Sequence, residues 1–328
     1  MRLACETLRF FPAVLYAIGL FLRLERLIPV RPFYTYVANV MDWRIFERRH
    51  FLMKTSYKAD SLLKSFAKTA LCVGLFCAAF SPAKAHFQLV YTPEVNLTAA
   101  GDVPLKLLFW HPFENGHVMD MAEPEALYAI NRGKRIDLKD SLKAIQFTGQ
   151  SNQGKAYEAV LPVKRSGDYV LVAVPVPYLE ASEDLYIQQI TKSYVNLRGV
   201  PTDWSETQGL KTEIRPLTKP YNVLAGASFT GQVLSEGKPV AGAEIEIEFM
   251  AAEPSMTDNK PLDATASPMP GGTVVLLSDD NGMFTFGIPK AGFWGFAALG
   301  TGPDKSYDGK ELSQDAVLWL RAYDVKKR

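Results

Sequence analysis

The sequence predicts an all-β protein: two successive β-sandwich domains, an immunoglobulin-like one followed by a prealbumin-like one, behind an N-terminal signal segment. Three observations carry this. Short apolar runs rich in Val, Phe and Tyr recur about every 8 to 20 residues, which is strand spacing. Gly and Pro, 23 and 21 of 328 residues, punctuate them. Several runs alternate with period two, the signature of a strand with one buried face.

The first domain is read over 86–216. Phe87–Tyr91 and Leu105–Trp110 have strand composition, and Ala156–Pro162 and Tyr169–Pro175 continue the series. Ser166-Gly167-Asp168-Tyr169 reads as a turn feeding an aromatic-led strand, as in an immunoglobulin-type sandwich. The pattern pauses around Pro216, Lys219 and Pro220.

The second domain is read over 220–328. Ser228–Val233, a Gly237-Lys238-Pro239 turn and Ala243–Phe249 read as a hairpin. Glu244, Glu246 and Glu248 alternate with apolar residues, which predicts one wet face and one dry face. Residues 251–272 lack a period and read as a long mobile loop. Asp279-Asp280-Asn281-Gly282 reads as a hairpin turn, because it is only a fragment of a calcium-binding loop and lacks the closing Glu. With Gly231-Gln232-Val233, Lys238-Pro239-Val240-Ala241-Gly242-Ala243 and Asp280-Asn281-Gly282-Met283-Phe284, this unit resembles the small prealbumin-like or carboxypeptidase-regulatory sandwiches.

Ahead of these domains, residues 53–85 read as a cleavable signal peptide. Lys54, Lys58, Lys64 and Lys68 precede an apolar stretch, Thr69–Phe80, and Ala83-Lys84-Ala85 supplies a small-residue cleavage pattern. About a dozen apolar residues fall short of the roughly 20 that span a membrane. Residues 1–52 hold another short apolar run, Phe10–Leu22, and are read as an extension or a mis-assigned start, with translation expected from Met53. The mature chain is then expected to begin at His86, in the periplasm.

Charge is nearly balanced, 36 basic against 35 acidic residues, which leaves no footprint for nucleic acid. Cys5, Cys72 and Cys77 all precede residue 86, so the expected mature chain has neither disulfides nor thiolate ligands. It contains no Gly-x-Ser-x-Gly elbow and no His-Glu-x-x-His helix. The expectation is a protein that is not an enzyme.

Chemistry concentrates at the histidines. Beyond residue 85 the chain has only His86, His111 and His117. A free N-terminal histidine offers an amine and a ring nitrogen to one metal, and imidazoles suit nickel, cobalt, copper and zinc. Pro112, Asn115 and Gly116 predict a turn that returns His117 towards His111. Glu114, Met119, Asp120 and Met121 are weaker candidates as further ligands or supporting groups. The methionines favour copper, whereas imidazole, amine and carboxylate suit nickel or cobalt, so the residues alone leave the metal open.

Ala85-His86, Phe109-Trp110-His111-Pro112 with Gly116-His117, the Lys192-Ser193-Tyr194-Val195-Asn196 segment and the tail from Gly302 to Arg321 resemble a family of exported proteins. They are described as periplasmic components of ABC-type cobalt and nickel transport systems and carry a domain of unknown function. The likeness covers roughly 86–328. It implies capture of nickel or cobalt for an inner-membrane uptake permease, with His86, His111 and His117 as ligands. Two other readings are carried forward: a structural or adhesive exported sandwich, and a copper redox enzyme with a histidine brace.

Overall fold

A computed structural model describes residues 87–114, 116–268 and 274–325. The expected extension (1–52), signal peptide (53–85) and His86 lie outside the described residues. Among the described residues the chain is almost entirely β, with a single turn of 3-10 helix at Lys139–Ser141. Val, Ile, Phe and Tyr fill the strand positions and pack well on a pleated, half-buried surface. No described helix is long and apolar enough to cross a membrane.

The strands form three sheets. The first runs in the order Phe87–Tyr91, Gly101–Trp110, Gln153–Val163, Lys143–Thr148, with Val118–Met119 also on Gly101–Trp110. The third pairs Ser228–Ser235 with Thr212–Pro216, Lys238–Pro239 and Met283–Gly287. Between them lies a long sheet whose main order is Val274–Leu277, Glu244–Phe249, Gly292–Ala298, Lys310–Tyr323, Leu185–Leu197, Gly167–Val174, Ala126–Asn131, Lys134–Asp137. Each outer sheet packs on one half of it. Leu105, Leu107, Tyr157, Leu171 and Val195 fill one apolar cluster, while Phe229, Val233, Ile245, Ile247 and Phe296 belong to the other.

The two halves share that long sheet. Tyr186–Lys192 pairs in parallel with Leu312–Leu318, and parallel pairing demands a long connection between partners. Thr212–Pro216, at the end of the first expected domain, hydrogen-bonds to Ser228–Ser235 of the second. The pause at 216–220 is therefore a crossing point within the second sandwich and not a linker.

Three local expectations change. After the Glu236-Gly237 turn the chain pairs back for only two residues, Lys238–Pro239, and Glu244–Phe249 then enters the long sheet beside Gly292–Ala298. The predicted hairpin is a sheet-to-sheet crossing. Asp279–Gly282 is likewise a crossing, since Val274–Leu277 and Met283–Gly287 lie in different sheets. Its Asp279 carboxylate accepts the backbone N–H groups of Asn281 and Met283, which fixes the turn. The described part of the expected mobile loop is anchored: Leu262 N–H bonds to Glu253 O, Thr265 N–H to Ala251 O and Thr148 N–H to Asn259 O.

Tyr169 shows why the Ser-Gly-Asp-Tyr turn reads as it does. Its hydroxyl accepts the N–H groups of Lys164 and Arg165 and donates to Arg165 O at 2.9 Å. This is a tyrosine corner, a feature of immunoglobulin-type sandwiches.

Candidate metal site

The Gly101–Trp110 strand delivers His111 at its end, and the chain turns back into Val118–Met119. The register is Phe109 opposite Met119 and Trp110 opposite Val118. The loop closes through a bond from Gly116 N–H to His111 O and another from Trp110 Nε1–H to Gly116 O, both 3.0 Å. A Cβ at Gly116 would lie 3.1 Å from His111 Cβ, inside ordinary van der Waals contact, so the loop closes tightly here. Asn152 holds the return strand by accepting Val118 N–H and donating to Val118 O, both at 2.8 Å.

This hairpin brings the two loop histidines together. Their ring centroids are 5.0 Å apart with planes inclined by 55°. His111 is buried and His117 half-buried. On the other side of the Gly101–Trp110 strand, Phe87 is the register partner of Trp110. The described rows thus end at Phe87–Trp110–Val118, with His111 and His117 next along their strands.

The weaker candidates are placed differently. Glu114 is exposed at the loop. Met119 and Met121 are core side chains in the apolar cluster with Phe109 and Leu107, on the opposite face from Trp110 and Val118. Met121 Sδ accepts a bond from Gln88 Nε2 at 3.6 Å. Asp120 Oδ1 accepts the backbone N–H of Lys155. Asp120 and Met121 line a cleft of about 340 Å³ with Gln88, Tyr178, Tyr186 and Gln189. Neither methionine is thus positioned as a soft ligand beside the two imidazoles, and the copper argument built on them loses its basis.

The structure adds a feature the sequence pattern concealed. The loop sits on the end of the Glu244–Phe249 strand, where Pro112 O accepts Ala251 N–H at 3.1 Å. Glu246 and Glu248, expected on a wet face, are buried there. Burial pushes the Glu248 carboxyl well above the usual carboxylate range, the charge of Glu246 adds to this, and a hydrogen bond from the Phe113 backbone opposes it. Burial, followed by the charge of Asp315, raises Glu246 to about 7. Glu248 is opposite Gly295 in register, and a Cβ on Gly295 would lie 3.0 Å from the ring of Phe87. The rings of Trp319 and Phe87 therefore lie at Gly295, on the face that alternation alone presents to water. Three glutamates with no basic residue between them were the one available hint.

Among the described residues no group of three or more His, Cys, Asp or Glu side chains is arranged to hold a metal ion. His111 and His117 lie side by side, and the third expected histidine lies outside the described residues.

Residues 83–302 match the family defined by a domain of unknown function, DUF4198, and the chain belongs to that family. No curated protein matches the sequence. Solved structures similar to the chain include the D0-D1 domain of Intimin, at 13% identity over 70% of this chain and 96% of that one, TM-score 0.19. The Yersinia pseudotuberculosis adhesin InvE is 12% identical over 73% of this chain and 61% of that one, TM-score 0.20. The fibronectin(III)-like modules of Clostridium thermocellum CbhA are 10% identical over 74% of this chain and all of that one, TM-score 0.18. The β-sandwich assignment rests on the strands and their packing described above.

Proposed function

We propose that the protein is an exported binding protein that captures a divalent transition metal, nickel or cobalt, in the periplasm and passes it to an inner-membrane uptake permease. The metal is cargo, and no covalent chemistry is involved. The observation that carries this reading is the pairing of His111 and His117 at 5.0 Å in a closed, pinned loop. A buried imidazole beside a half-buried one offers one fixed donor and one that incoming metal can reach. His86 is bonded to Phe87, whose register partner Trp110 immediately precedes His111. Cleavage after Ala85 would add a free amine and a third imidazole at that edge. Such a donor set suits nickel or cobalt, and cargo delivery calls for ligands that can be exchanged.

Native mass spectrometry of the chain exported from a bacterial host tests this, with nickel, cobalt and copper offered in turn. The expected result is a chain starting at His86 that takes one metal ion, with binding lost in His86→Ala and His117→Ala. An uncleaved chain, or a cleaved one that takes none of the three metals, would overturn the proposal and favour a structural or adhesive sandwich. Copper-dependent oxidation of an added polysaccharide would instead identify a redox enzyme.

A further inference from the structure

We propose that Lys106 and Asn259 join in an intramolecular amide cross-link, formed with loss of ammonia and assisted by Glu158, which ties the segment after Glu244–Phe249 to the first sheet. The inference stands apart from the metal-capture reading and uses none of its residues.

Lys106 lies within the Gly101–Trp110 strand, opposite Tyr91 on one neighbouring strand and Glu158 on the other. It is 0% exposed, so its side-chain nitrogen is withdrawn from water. Two groups meet Nζ there: Glu158 Oε1 at 2.7 Å and Asn259 Oδ1. Asn259 is more than 150 residues away in sequence. Its own backbone pins it to the first sheet, because Asn259 O accepts Thr148 N–H at 2.8 Å. Its φ of 49° is left-handed, a conformation that asparagine adopts more readily than most residues.

This arrangement offers more than an ion pair. Desolvation largely offsets the attraction between buried charges, so a lysine buried for its salt bridge alone gains little. Asparagine supplies what an amide transfer needs: a carbonyl carbon one bond from the oxygen in contact with Nζ, and a nitrogen that can leave. A base within hydrogen-bond reach makes a lysine amine nucleophilic. Glu158 relays two protons from the Lys106 ammonium to Asn259 Nδ2 and ends as the carboxylate it began as. The Nζ–Cγ bond forms, the Cγ–Nδ2 bond breaks, and the amide nitrogen departs as ammonium. No oxidant or further reactant is consumed. The Glu158 side chain is 40% exposed, which gives the leaving ion a way to solvent. Holding the two groups in contact replaces a chance encounter, an advantage that reaches effective molarities of about 10⁵–10⁸ M for well-oriented pairs. The chain has no cysteine after Cys77, so a disulfide cannot make such a tie here. A cross-link between residues so distant in sequence restricts the unfolded chain and raises stability.

The test is the intact mass of the purified full chain, unfolded in acid and compared with the mass calculated from its determined termini. The expected wild-type mass is short by one ammonia, and a tryptic digest should contain one branched peptide joining Lys106 to Asn259. Asn259→Ala and Lys106→Met should have their full calculated masses, and Asn259→Ala should melt at a lower temperature than wild type. Glu158→Gln, which keeps the side-chain volume, should fold and remain largely uncross-linked; a cross-link formed equally there overturns the role of Glu158. A wild-type chain at full mass overturns the proposal and leaves Lys106 as a buried ion-pair partner. A loss of ammonia that persists in Asn259→Ala, as ring closure at Asn281-Gly282 would give, overturns it too. The decisive reading is taken on wild-type protein, so it does not depend on any variant folding.

Discussion

The buried ion pair between Lys192 and Glu213 gives a prediction that separates the two partners. Lys192 Nζ lies 2.6 Å from Glu213 Oε2, and both side chains are 1% exposed. At an effective dielectric of about 20, two unit charges at that distance attract by about 6 kcal/mol. Desolvation of each ion costs several kcal/mol, so the net worth of the pair is small. Removing one partner is a different matter, because the other charge stays buried. Glu213 has further support: Gln208 N–H donates to both carboxylate oxygens and Gly209 N–H to Oε1 at 3.1 Å. The only hydrogen bond described for the Lys192 ammonium is that to Glu213. Glu213→Gln should therefore cost about 3–5 kcal/mol, the usual penalty for stranding a buried charge. Lys192→Met should cost about 1.5–3 kcal/mol, the worth of a charged hydrogen bond, since the backbone still serves the carboxylate. The double variant should be more stable than Glu213→Gln alone. Urea denaturation at neutral pH reads this as shifts in midpoint with unchanged slope. Equal costs for the two single changes, or a larger cost for Lys192→Met, would refute the reasoning.

Two other outcomes follow from the same contacts. Tyr169→Phe removes a hydroxyl that serves two N–H groups and one carbonyl, and should destabilise the first sandwich by about 1–3 kcal/mol in the same assay. Glu246 is held at about 7, above its ordinary 4.5, so the folded state of the metal-free protein binds a proton more tightly than the unfolded one. Its contribution is fully present below pH 4.5 and is lost as pH rises to about 7, a fall of about 3 kcal/mol. Glu246→Gln should flatten that part of the stability profile, and a profile equally steep in the variant would show that another group is responsible.

Much of the local structure was legible in the sequence because strand composition and turn chemistry are local. The Tyr169 strand and its preceding turn, the strand ending at Trp110, and the return of His117 towards His111 all follow from residues within a few positions of one another. Pro112 and Gly116 turn the chain, and the hairpin register does the rest. The methionines misled because a thioether beside a histidine in sequence lies on the opposite face when the intervening segment is a strand.

Period-two alternation established that Glu244, Glu246 and Glu248 share one face and Ile245, Ile247 and Phe249 the other. What covers each face was decided only by tertiary structure. The isoleucines meet the third sheet, whereas Phe87, more than 150 residues earlier, lies over the glutamate side. The same division explains the shared sheet. A strand's own residues set its pleat and sidedness, but a pairing such as Gln189 with Asp315 depends on edges and covers supplied by the rest of the chain. Local physics wrote the strands and the histidine loop into the sequence, and long-range packing placed a carboxylate beneath that loop.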